Sequence, residues 1–248
     1  MSLALSIIIP VYNCEKTIRK CLDSIFIQKN DLKYEIIIVD DGSSDGTVEV
    51  VESVIAGRGN VKFIHQENAG AGAARNKALR YASGDYLLFI DGDDYISSNS
   101  LNILKIEMQK NEDLDVLIFM YRYYDEGSCV FKKMSQRDAE VYNDVAFQNR
   151  VFSFEECPQL HECSRETFAC ITYPWNKLFR RSFVEENNLT FSETVVHNDI
   201  FFNIASLARA RRIRIIHDIL YVHIINAKGG QLTQVFDARR LDVIRALN

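Results

Sequence analysis

An apolar run that ends in three carboxylates constrains this chain more than any other stretch. Residues 86–90 are apolar or aromatic, and Asp91, Asp93 and Asp94 follow within four positions. A run of this length between two glycines is typical of a buried parallel strand. Three acidic side chains at its end repel one another unless water or a cation surrounds them.

Two interpretations of this acidic strand end are open. A solvated acidic turn is the ordinary explanation of an Asp-x-Asp pair alone. Hard carboxylate oxygens also suit Mg²⁺ or Mn²⁺, and ligands of open α/β sheets bind at the carboxyl ends of the strands. Because a buried strand delivers these acids to that edge, we expect a ligand site, where Gly92 allows a close approach.

Alternation of strands and helices defines the first part of the chain. Apolar runs at 5–10, 34–39, 61–64 and 86–90 predict four strands, and stretches of helical period lie between them. Pro10 is expected to end the first strand and Gly84 the third helix. The pattern predicts an α/β fold with a parallel sheet and right-handed crossovers. Polar loops at 12–13, 40–43 and 91–93 should therefore meet at one sheet edge.

The second half is less regular. Strands are predicted at 116–121 and 213–225, a hairpin and loop within 125–148, and a helix at 182–188. A further helix should turn Phe201, Ile204, Ala205 and Ala208 to one face. The sequence stops inside an apparent helix at 237–247, so we expect a truncated form of a longer chain.

Composition excludes several classes of function. The 248 residues carry 29 basic and 34 acidic side chains, a net charge of −5, which argues against binding of a nucleic-acid backbone. No apolar run approaches the roughly 20 residues of a membrane span, and no signal peptide is recognisable. Six cysteines in such a chain favour reduced thiols. The group Cys157, His161, Cys163 and Cys170 contains no C-x2-C pair, so a zinc site is disfavoured.

Four motifs together carry a resemblance to a known family. They are residues 6–13 (SIIIPVYN), 35–47 (EIIIVDDGSSDGT), Asn68 with 74–76 (ARN), and 89–94 (FIDGDD). In this order they resemble the inverting family 2 glycosyltransferases, which have a glycosyltransferase A-type fold. That fold is a Rossmann-like, mostly parallel sheet flanked by helices, with a smaller acceptor-side region. The similarity continues more weakly through 175–179 and 198–199.

The resemblance implies a nucleotide diphosphate sugar as donor, with UDP favoured. Asp41 would accept the imide N–H of uracil, Tyr12 would lie against the base, and Arg75 would face the base or the diphosphate. Asp91 would hold the ribose and Asp93 the Mn²⁺ or Mg²⁺ ion. Further donor-binding positions are Pro10, Asp40, Gly42, Asn68 and Gly92. The alternatives are a turn or cap acid for Asp41, a capping aromatic for Tyr12 and a solvated side chain for Arg75.

The resemblance also assigns the catalytic base. The family places this acid in a Glu-Asp pair at a helix start, and here the pair is Asn198-Asp199. Asp199 would deprotonate the acceptor hydroxyl, with a helix-start acid as the alternative. Trp175 is either an acceptor platform or core, Lys177 a phosphate ligand or a surface side chain, and His223 a metal neighbour or a structural residue. The basic cluster Arg209, Arg211, Arg212 and Arg214 is either a solvated edge or a contact for anionic lipid.

The expected function is therefore metal-dependent, inverting sugar transfer to a hydroxyl acceptor such as a growing cell-surface polysaccharide. Residues 1–100 would bind the donor, and 101–248 the saccharide or lipid-linked acceptor, within one domain. A cytoplasmic location follows, with peripheral contact at the inner membrane face left open and nucleic acid excluded as a partner. Two other classes are open. One is a nucleotidyltransferase, and the other is a sugar-nucleotide-binding protein without catalysis.

Overall fold

Four parallel strands form one half of the central sheet. The computed structural model describes residues 3–135, 138–140, 147, 149–156, 172–194 and 197–226. The four strands are β1 (Leu5–Val11), β2 (Tyr34–Asp40), β3 (Val61–His65) and β4 (Tyr86–Phe89). They lie in the order β3-β2-β1-β4, and each adjacent pair is parallel. The predicted parallel sheet is thus present.

Three helices connect these strands. They are α1 (Ile18–Phe26), α2 (Thr47–Ile55) and α3 (Ala71–Leu79). Ile18, Leu22 and Ile25 of α1 are fully buried, as their helical spacing predicts. Because the helices cover the sheet, β1 is buried along its whole length. The carboxyl ends of β1, β2 and β4 consequently lie at one edge.

The second half of the chain extends the same sheet. Its elements are β5 (Tyr95–Ile96), α4 (Ser100–Lys110), β6 (Val116–Asp125), β7 (Val130–Lys132), β8 (Val151–Phe152), β9 (Lys177–Arg180), α5 (Arg181–Glu186), α6 (Ile200–Arg209) and β10 (Ile213–Ile225). A short 3-10 helix covers Phe154–Glu156. The strand β9 runs antiparallel between β4 and β6 and so joins the two halves. The strands β6 and β7 form a hairpin, of which only the turn and the second strand fall within the predicted region 125–148.

The whole sheet is mixed but mostly parallel, with the order β3-β2-β1-β4-β9-β6-β10-β5. Its core is continuous across both halves of the chain. Phe89 of β4, for example, contacts the rings of Phe179 in β9 and Phe202 in α6 edge-on. The predicted α/β class, a mostly parallel sheet flanked by helices, is confirmed.

Pro10 and Gly84, which were predicted to end a strand and a helix, have different roles in the structure. Strand β1 continues one residue past Pro10, to Val11. Ile8, two positions earlier, directs its carbonyl to β4, whose pairing with β1 ends there. Because backbone direction alternates along a strand, the missing N–H of Pro10 faces a place where no partner strand remains.

Gly84 does not end α3, which stops at Leu79. A Cβ at Gly84 would lie 2.5 Å from the backbone of Leu5 and Ser6. The glycine is required because the chain passes directly against β1 before it enters β4.

The buried face of α6 also differs from the prediction. Phe201 is 41% exposed, while Phe202 is fully buried. Phe202 stacks on Phe191 at 4.1 Å between ring centroids, and this contact favours burial of Phe202 over Phe201. Residues 195–196, the cysteine group at 157–170 and the helix predicted at 237–247 lie outside the described residues. Among the residues that are described, no helix has the length and apolar character needed to cross a membrane.

Candidate active site

Loops after β1, β2 and β4 meet at one edge, as the sequence predicts. The backbone N–H of Asn13 donates to Ser43 Oγ at 3.0 Å, and Ser44 N–H donates to Asn13 Oδ1 at 2.8 Å. The hydroxyl of Thr17 donates to the carbonyl of Gly92 at 3.1 Å. These bonds join the three loops into one surface, where ligands of open α/β sheets bind.

Asp41 is buried and holds the loop that follows β3. Its Oδ1 accepts from Gln66 Nε2 and from the N–H of Ala69, both at 2.8 Å, and its Oδ2 accepts from Gly70 N–H at 2.8 Å. A carboxylate oxygen can accept two hydrogen bonds. Oδ2 with one such bond therefore keeps the capacity for another donor.

Asp40 is also buried. It accepts from Ser43 N–H at 3.2 Å and lies 3.3 Å from Nδ1 of His65. The positive φ of +74° at Gly42 lets the next residues turn back, and a Cβ there would lie 3.0 Å from Asn68 N. Asp40 and Gly42 thus shape the loops that surround Asp41.

Above these loops, Tyr12 is 50% exposed and Asn68 is exposed, while Pro10 is buried beneath. The ring of Tyr12 is therefore available to a flat ligand. The predicted donor-binding residues of the first two loops lie together at this edge.

Carboxylate oxygens of Asp91, Asp93 and Asp94 lie within 4.8 Å of one another. Burial raises the pKa of Asp93 to about 7, and the negative charges of Asp94 and Asp91 add to this shift. A Cβ at Gly92 would lie 3.0 Å from Val11 Cγ1, so the glycine lets this acidic loop pack against β1. Its role in the fold is thus close packing.

Both carboxylate oxygens of Asp94 have hydrogen-bond partners within the protein. Tyr221 Oη donates to its Oδ2 at 2.7 Å, His223 Nδ1 lies 2.8 Å from the same oxygen, and Ile224 N–H donates to Oδ1 at 2.8 Å. Burial lowers the pKa of His223, but the Asp94 carboxylate outweighs burial and raises it to about 9. His223 is therefore the structural partner of Asp94 and orients the acidic loop.

The donor set of this cluster fits a hard divalent cation. Asp94 has its partners within the protein, and Asp91 pairs with an arginine, which leaves Asp93 with the most available oxygens. The charge of His223 lowers the pKa of Asp93 but does not outweigh burial and the neighbouring carboxylates, so a cation would further stabilise the ionised form of Asp93. Asp93 is thus the residue best suited to hold Mg²⁺ or Mn²⁺.

Arg75 joins the two halves of the site. Its side chain is buried, so the solvated alternative is wrong. Nη2 donates to Asp91 Oδ1 at 2.6 Å, and Nη1 donates to Asn198 Oδ1 at 2.8 Å. The same arginine therefore contacts the acidic strand end and the predicted catalytic segment.

The rest of α3 docks onto that segment as well. Asn76 Nδ2 donates to the carbonyl of Phe191 at 2.9 Å, and Phe191 N–H donates to Asn76 Oδ1 at 2.8 Å. A Cβ at Gly72 would lie only 2.1 Å from the carbonyl oxygen of Ser192. The small and polar residues of α3 thus allow the close contact that brings residues 191–194 and 197–199 to the sheet edge.

Asp199 begins helix α6 next to Asn198. Burial raises the pKa of its carboxyl, which the charge of Arg75 opposes and that of Asp91 reinforces. These interactions mean that Asp199 lies in the electrostatic environment of the acidic strand end. Its side chain makes no capping hydrogen bond, although it lies at the helix start that the alternative interpretation requires.

Trp175 and Lys177 belong to the interior behind the site. Trp175 stacks between Tyr173 and Tyr221, at 4.7 and 4.6 Å between ring centroids, so it is core rather than an exposed platform. Lys177 is fully buried, and its Nζ donates to the carbonyl of Tyr173 at 2.6 Å. Burial lowers its pKa to about 7. The surface alternative for Lys177 is therefore wrong.

The basic cluster is partly neutralised. Arg212 pairs with Asp113 at 2.9 Å, and Arg214 pairs with Glu107 at 2.8 Å. Its charge is thus weaker at the surface than the sequence suggests.

Several positioning residues were missed from the sequence. Asn76 lies inside the recognised 74–76 motif, although no role was assigned to it, and Gln66 lies two positions before Asn68, which is the signal that points to it. Tyr221, which also accepts from Asp91 N–H at 3.2 Å, lies inside an apolar run that gives no such signal.

Comparisons with known proteins bear on the family and the fold of the chain. The sequence profile "Glycosyl transferase family 2" matches residues 6–187. The chain is 34% identical to "Uncharacterized glycosyltransferase EpsJ" of Bacillus subtilis, over 88% of this chain and 60% of that protein. It is 31% identical to "Poly(ribitol-phosphate) beta-glucosyltransferase" of Bacillus spizizenii, over 94% of this chain and 34% of that protein.

The fold is similar to that of a solved structure, Staphylococcus aureus TarS 1-349 in complex with UDP-GlcNAc. The TM-score is 0.76 at 25% identity, with 94% of this chain and 62% of TarS 1-349 covered. The chain therefore spans about 60% or less of the length of the curated relatives named above. The profile match over most of the chain, together with these likenesses, means that the chain belongs to glycosyl transferase family 2.

Proposed function

We propose that this chain transfers a sugar from a UDP-sugar to a hydroxyl acceptor, with a divalent metal and inversion at the anomeric carbon. One observation carries the proposal: the acidic strand end and the Asn198-Asp199 pair, from opposite halves of the chain, are joined by Arg75. A donor held by the first would present its reacting carbon toward the second. The UDP-GlcNAc complex of TarS supports a uridine donor.

The donor's base would bind between the loops after β1 and β2. Asp41 would use the remaining acceptor capacity of Oδ2 for the imide N–H of uracil, and Tyr12 would stack on the ring. Pro10, Gly42 and Asn68 would line this pocket, while Asp40 holds Ser43 and His65 in place. A carboxylate acceptor favours a base with a ring N–H donor, which uracil has and cytosine lacks.

The sugar-phosphate part of the donor would lie over the acidic strand end. Asp91 would accept from the ribose, and Asp93 would hold Mn²⁺ or Mg²⁺. A bound metal would act there as a Lewis acid that stabilises the departing diphosphate. Arg75 would keep Asp91 in place through the 2.6 Å ion pair.

Asp199 would act as the general base. As the acceptor hydroxyl attacks the anomeric carbon, its proton would move to the Asp199 carboxylate, and the bond from that carbon to the diphosphate oxygen would break. A raised pKa makes this carboxylate a stronger base than an exposed one. One base on one face permits a single displacement, so the anomeric configuration would invert.

The acceptor would be a saccharide or a lipid-linked saccharide, such as a growing cell-surface polysaccharide. The poly(ribitol-phosphate) glucosyltransferase relative supports a polymer with free hydroxyls. Residues 172–194 and 197–226 would line the acceptor side, and a cytoplasmic location with peripheral contact at the inner membrane face would suit a lipid-linked acceptor.

The experiment is a transfer assay with a panel of UDP-sugars and simple glycoside acceptors, with and without Mn²⁺. We expect a new glycoside, released UDP, and a product anomer opposite to that of the donor by NMR. Release of pyrophosphate would instead identify a nucleotidyltransferase. Donor binding without any product or UDP release would identify a binding protein, and a retained anomer would contradict the single displacement.

A further inference from the structure

Asn198 occupies a special place beside the proposed catalytic acid. Its side chain is buried, and its Oδ1 accepts from Arg75 Nη1 at 2.8 Å. The other terminal nitrogen of Arg75, Nη2, donates to Asp91 at 2.6 Å. A guanidinium is a rigid planar fork, so these two bonds fix the distance between Asn198 and Asp91.

The backbone of Asn198 is held from other directions. Its carbonyl accepts from Ser192 N–H at 2.9 Å, and the missing Cβ of Gly72 would lie 3.0 Å from Asn198 Cβ. The preceding residue, His197, has a φ of +59°, a left-handed conformation that few residues other than glycine adopt. The chain is thus turned at this point so that the amide of Asn198 enters the interior.

The next residue, Asp199, is fixed on its carboxyl-terminal side by helix α6. Its carbonyl accepts from the N–H and the Nδ2 of Asn203, at 3.0 and 2.9 Å. On the amino-terminal side, Ile200 N–H donates to the carbonyl of His197 at 3.4 Å, and Asn198 is held by its backbone and by Arg75. Any shift of Asn198 away from Arg75 would therefore move Asp199 relative to Asp91.

We propose that Asn198 is a positioning residue, whose amide oxygen holds Arg75 and thereby sets Asp199 at the correct distance from the donor side of the site. The inference rests on the proposed function. Asn198 itself need not touch the donor or the metal, because its oxygen is directed at the arginine. Its contribution should consequently appear in turnover and not in donor affinity.

The first test compares Asn198→Leu with Asn198→Asp, which keeps an oxygen at the same place. We expect Asn198→Leu to lower kcat about a hundredfold, the scale of a misplacement of about 1 Å, with KM for the UDP-sugar and the Kd of UDP with Mn²⁺ nearly unchanged. Asn198→Asp should restore most of kcat. Asn102→Leu on α4 is the matched control and should leave kcat unchanged.

The second test is a double-mutant cycle with Arg75→Met. If Asn198 acts through Arg75, then Asn198→Leu should cost little in the Arg75→Met background, and the two effects should be strongly non-additive. Additive effects, or an equal loss in both Asn198 variants, would overturn the proposal. If Arg75→Met does not fold by thermal unfolding, Arg75→Lys serves in the cycle, since one ammonium lacks the two-armed fork.

Failure of this inference is distinguishable from failure of the proposed function. If the wild-type chain binds UDP but transfers no sugar to any acceptor, the proposed function fails. If the wild type transfers sugar and Asn198→Leu keeps its kcat, only the positioning role fails. A raised donor KM with an unchanged kcat would also contradict it, because Asn198 would then act in donor binding.

Discussion

The edge formed by the loops after β1, β2 and β4 is built differently from the opposite segment, of which residues 191–194 and 197–199 are described. At the edge, the carboxylate of Asp41 is held by backbone N–H groups of Ala69 and Gly70 in an adjoining loop. The opposite segment is held mainly by side chains of α3, over separations of more than a hundred residues. The first arrangement follows from the sheet, while the second depends on a few long-range contacts.

This difference separates two kinds of function. Substitutions at the strand edge should change nucleotide and metal binding, because those side chains face the proposed donor. Substitutions on the other side should change turnover or the docking of the segment, because those side chains face the acceptor in the proposed function. Mutations can therefore test whether the two regions act independently.

The largest expected effect is that of Asp199→Asn. The amide cannot accept the acceptor's proton, so turnover should fall by about a hundred- to ten-thousandfold. The wild-type rate should rise with pH through the raised pKa of Asp199, which lies above that of an exposed carboxyl. This limb should be absent from the pH–rate profile of the mutant.

The control for this substitution is Asp23→Asn, which makes the same chemical change at an exposed carboxylate of α1. It should leave the rate and its pH dependence unchanged. An Asp199→Asn enzyme with most of its activity would mean that another group is the base.

The next effect concerns nucleotide selection at Asp41. Asp41→Asn should weaken UDP binding about ten- to a hundredfold, because a charge-assisted hydrogen bond contributes roughly 1.5–3 kcal/mol. Part of this loss would come from the loop that Asp41 holds. Titration of UDP and CDP separates the two causes, since loop disorder weakens both nucleotides and loss of the imide acceptor weakens only UDP. Equal UDP affinity in mutant and wild type would refute the assignment.

A smaller effect is expected on the docking of residues 191–194 against α3. In Gly72→Ala the added methyl would meet the Ser192 carbonyl, and overpacking of this kind costs roughly 1–3 kcal/mol. Alanine otherwise favours a helix over glycine by about 1 kcal/mol, so a lowered Tm would be diagnostic. Gly59→Ala has no neighbour within 4 Å and is the control. An unchanged or raised Tm in Gly72→Ala would contradict the close contact.

The smallest expected effect is the contribution of Asp93 to the free energy of unfolding of the metal-free protein. Its folded pKa of about 7 exceeds the ordinary 3.8, so the folded state binds more protons than the unfolded state between these values. The free energy of unfolding should therefore fall as pH rises from about 4 to 7. Asp93→Asn should lose this contribution and be at least as stable as the wild type at pH 7. A less stable mutant under metal-free conditions would contradict the repulsion.

Much of the strand edge could be predicted from the sequence because its signals are local. Apolar runs, turn glycines and acids at strand ends lie next to one another along the chain, and parallel topology then brings them together. The four strands β1 to β4, the mostly parallel sheet and the meeting of three loops at its edge were predicted correctly. Pro10 and Gly84 were misinterpreted because their roles depend on which neighbouring strand is present.

The opposite side was harder to predict because its contacts are remote in sequence. Burial of Trp175 and Lys177 follows from β9 lying between β4 and β6, which no local pattern indicates. Tyr221 and His223 reach Asp94 across about 130 residues. The choice of Phe202 over Phe201 likewise depends on aromatic partners from β4, β9 and residue 191.

The most direct test of the account is a paired titration of UDP, in the presence and absence of Mn²⁺, into the wild type, Asp93→Asn and Asp199→Asn. We expect Mn²⁺-dependent UDP binding to the wild type, nearly the same affinity for Asp199→Asn despite its lost turnover, and loss of the Mn²⁺ dependence in Asp93→Asn. Equal Mn²⁺-dependent binding by wild type and Asp93→Asn, or loss of UDP affinity in Asp199→Asn, would contradict the division between a donor edge and a catalytic segment.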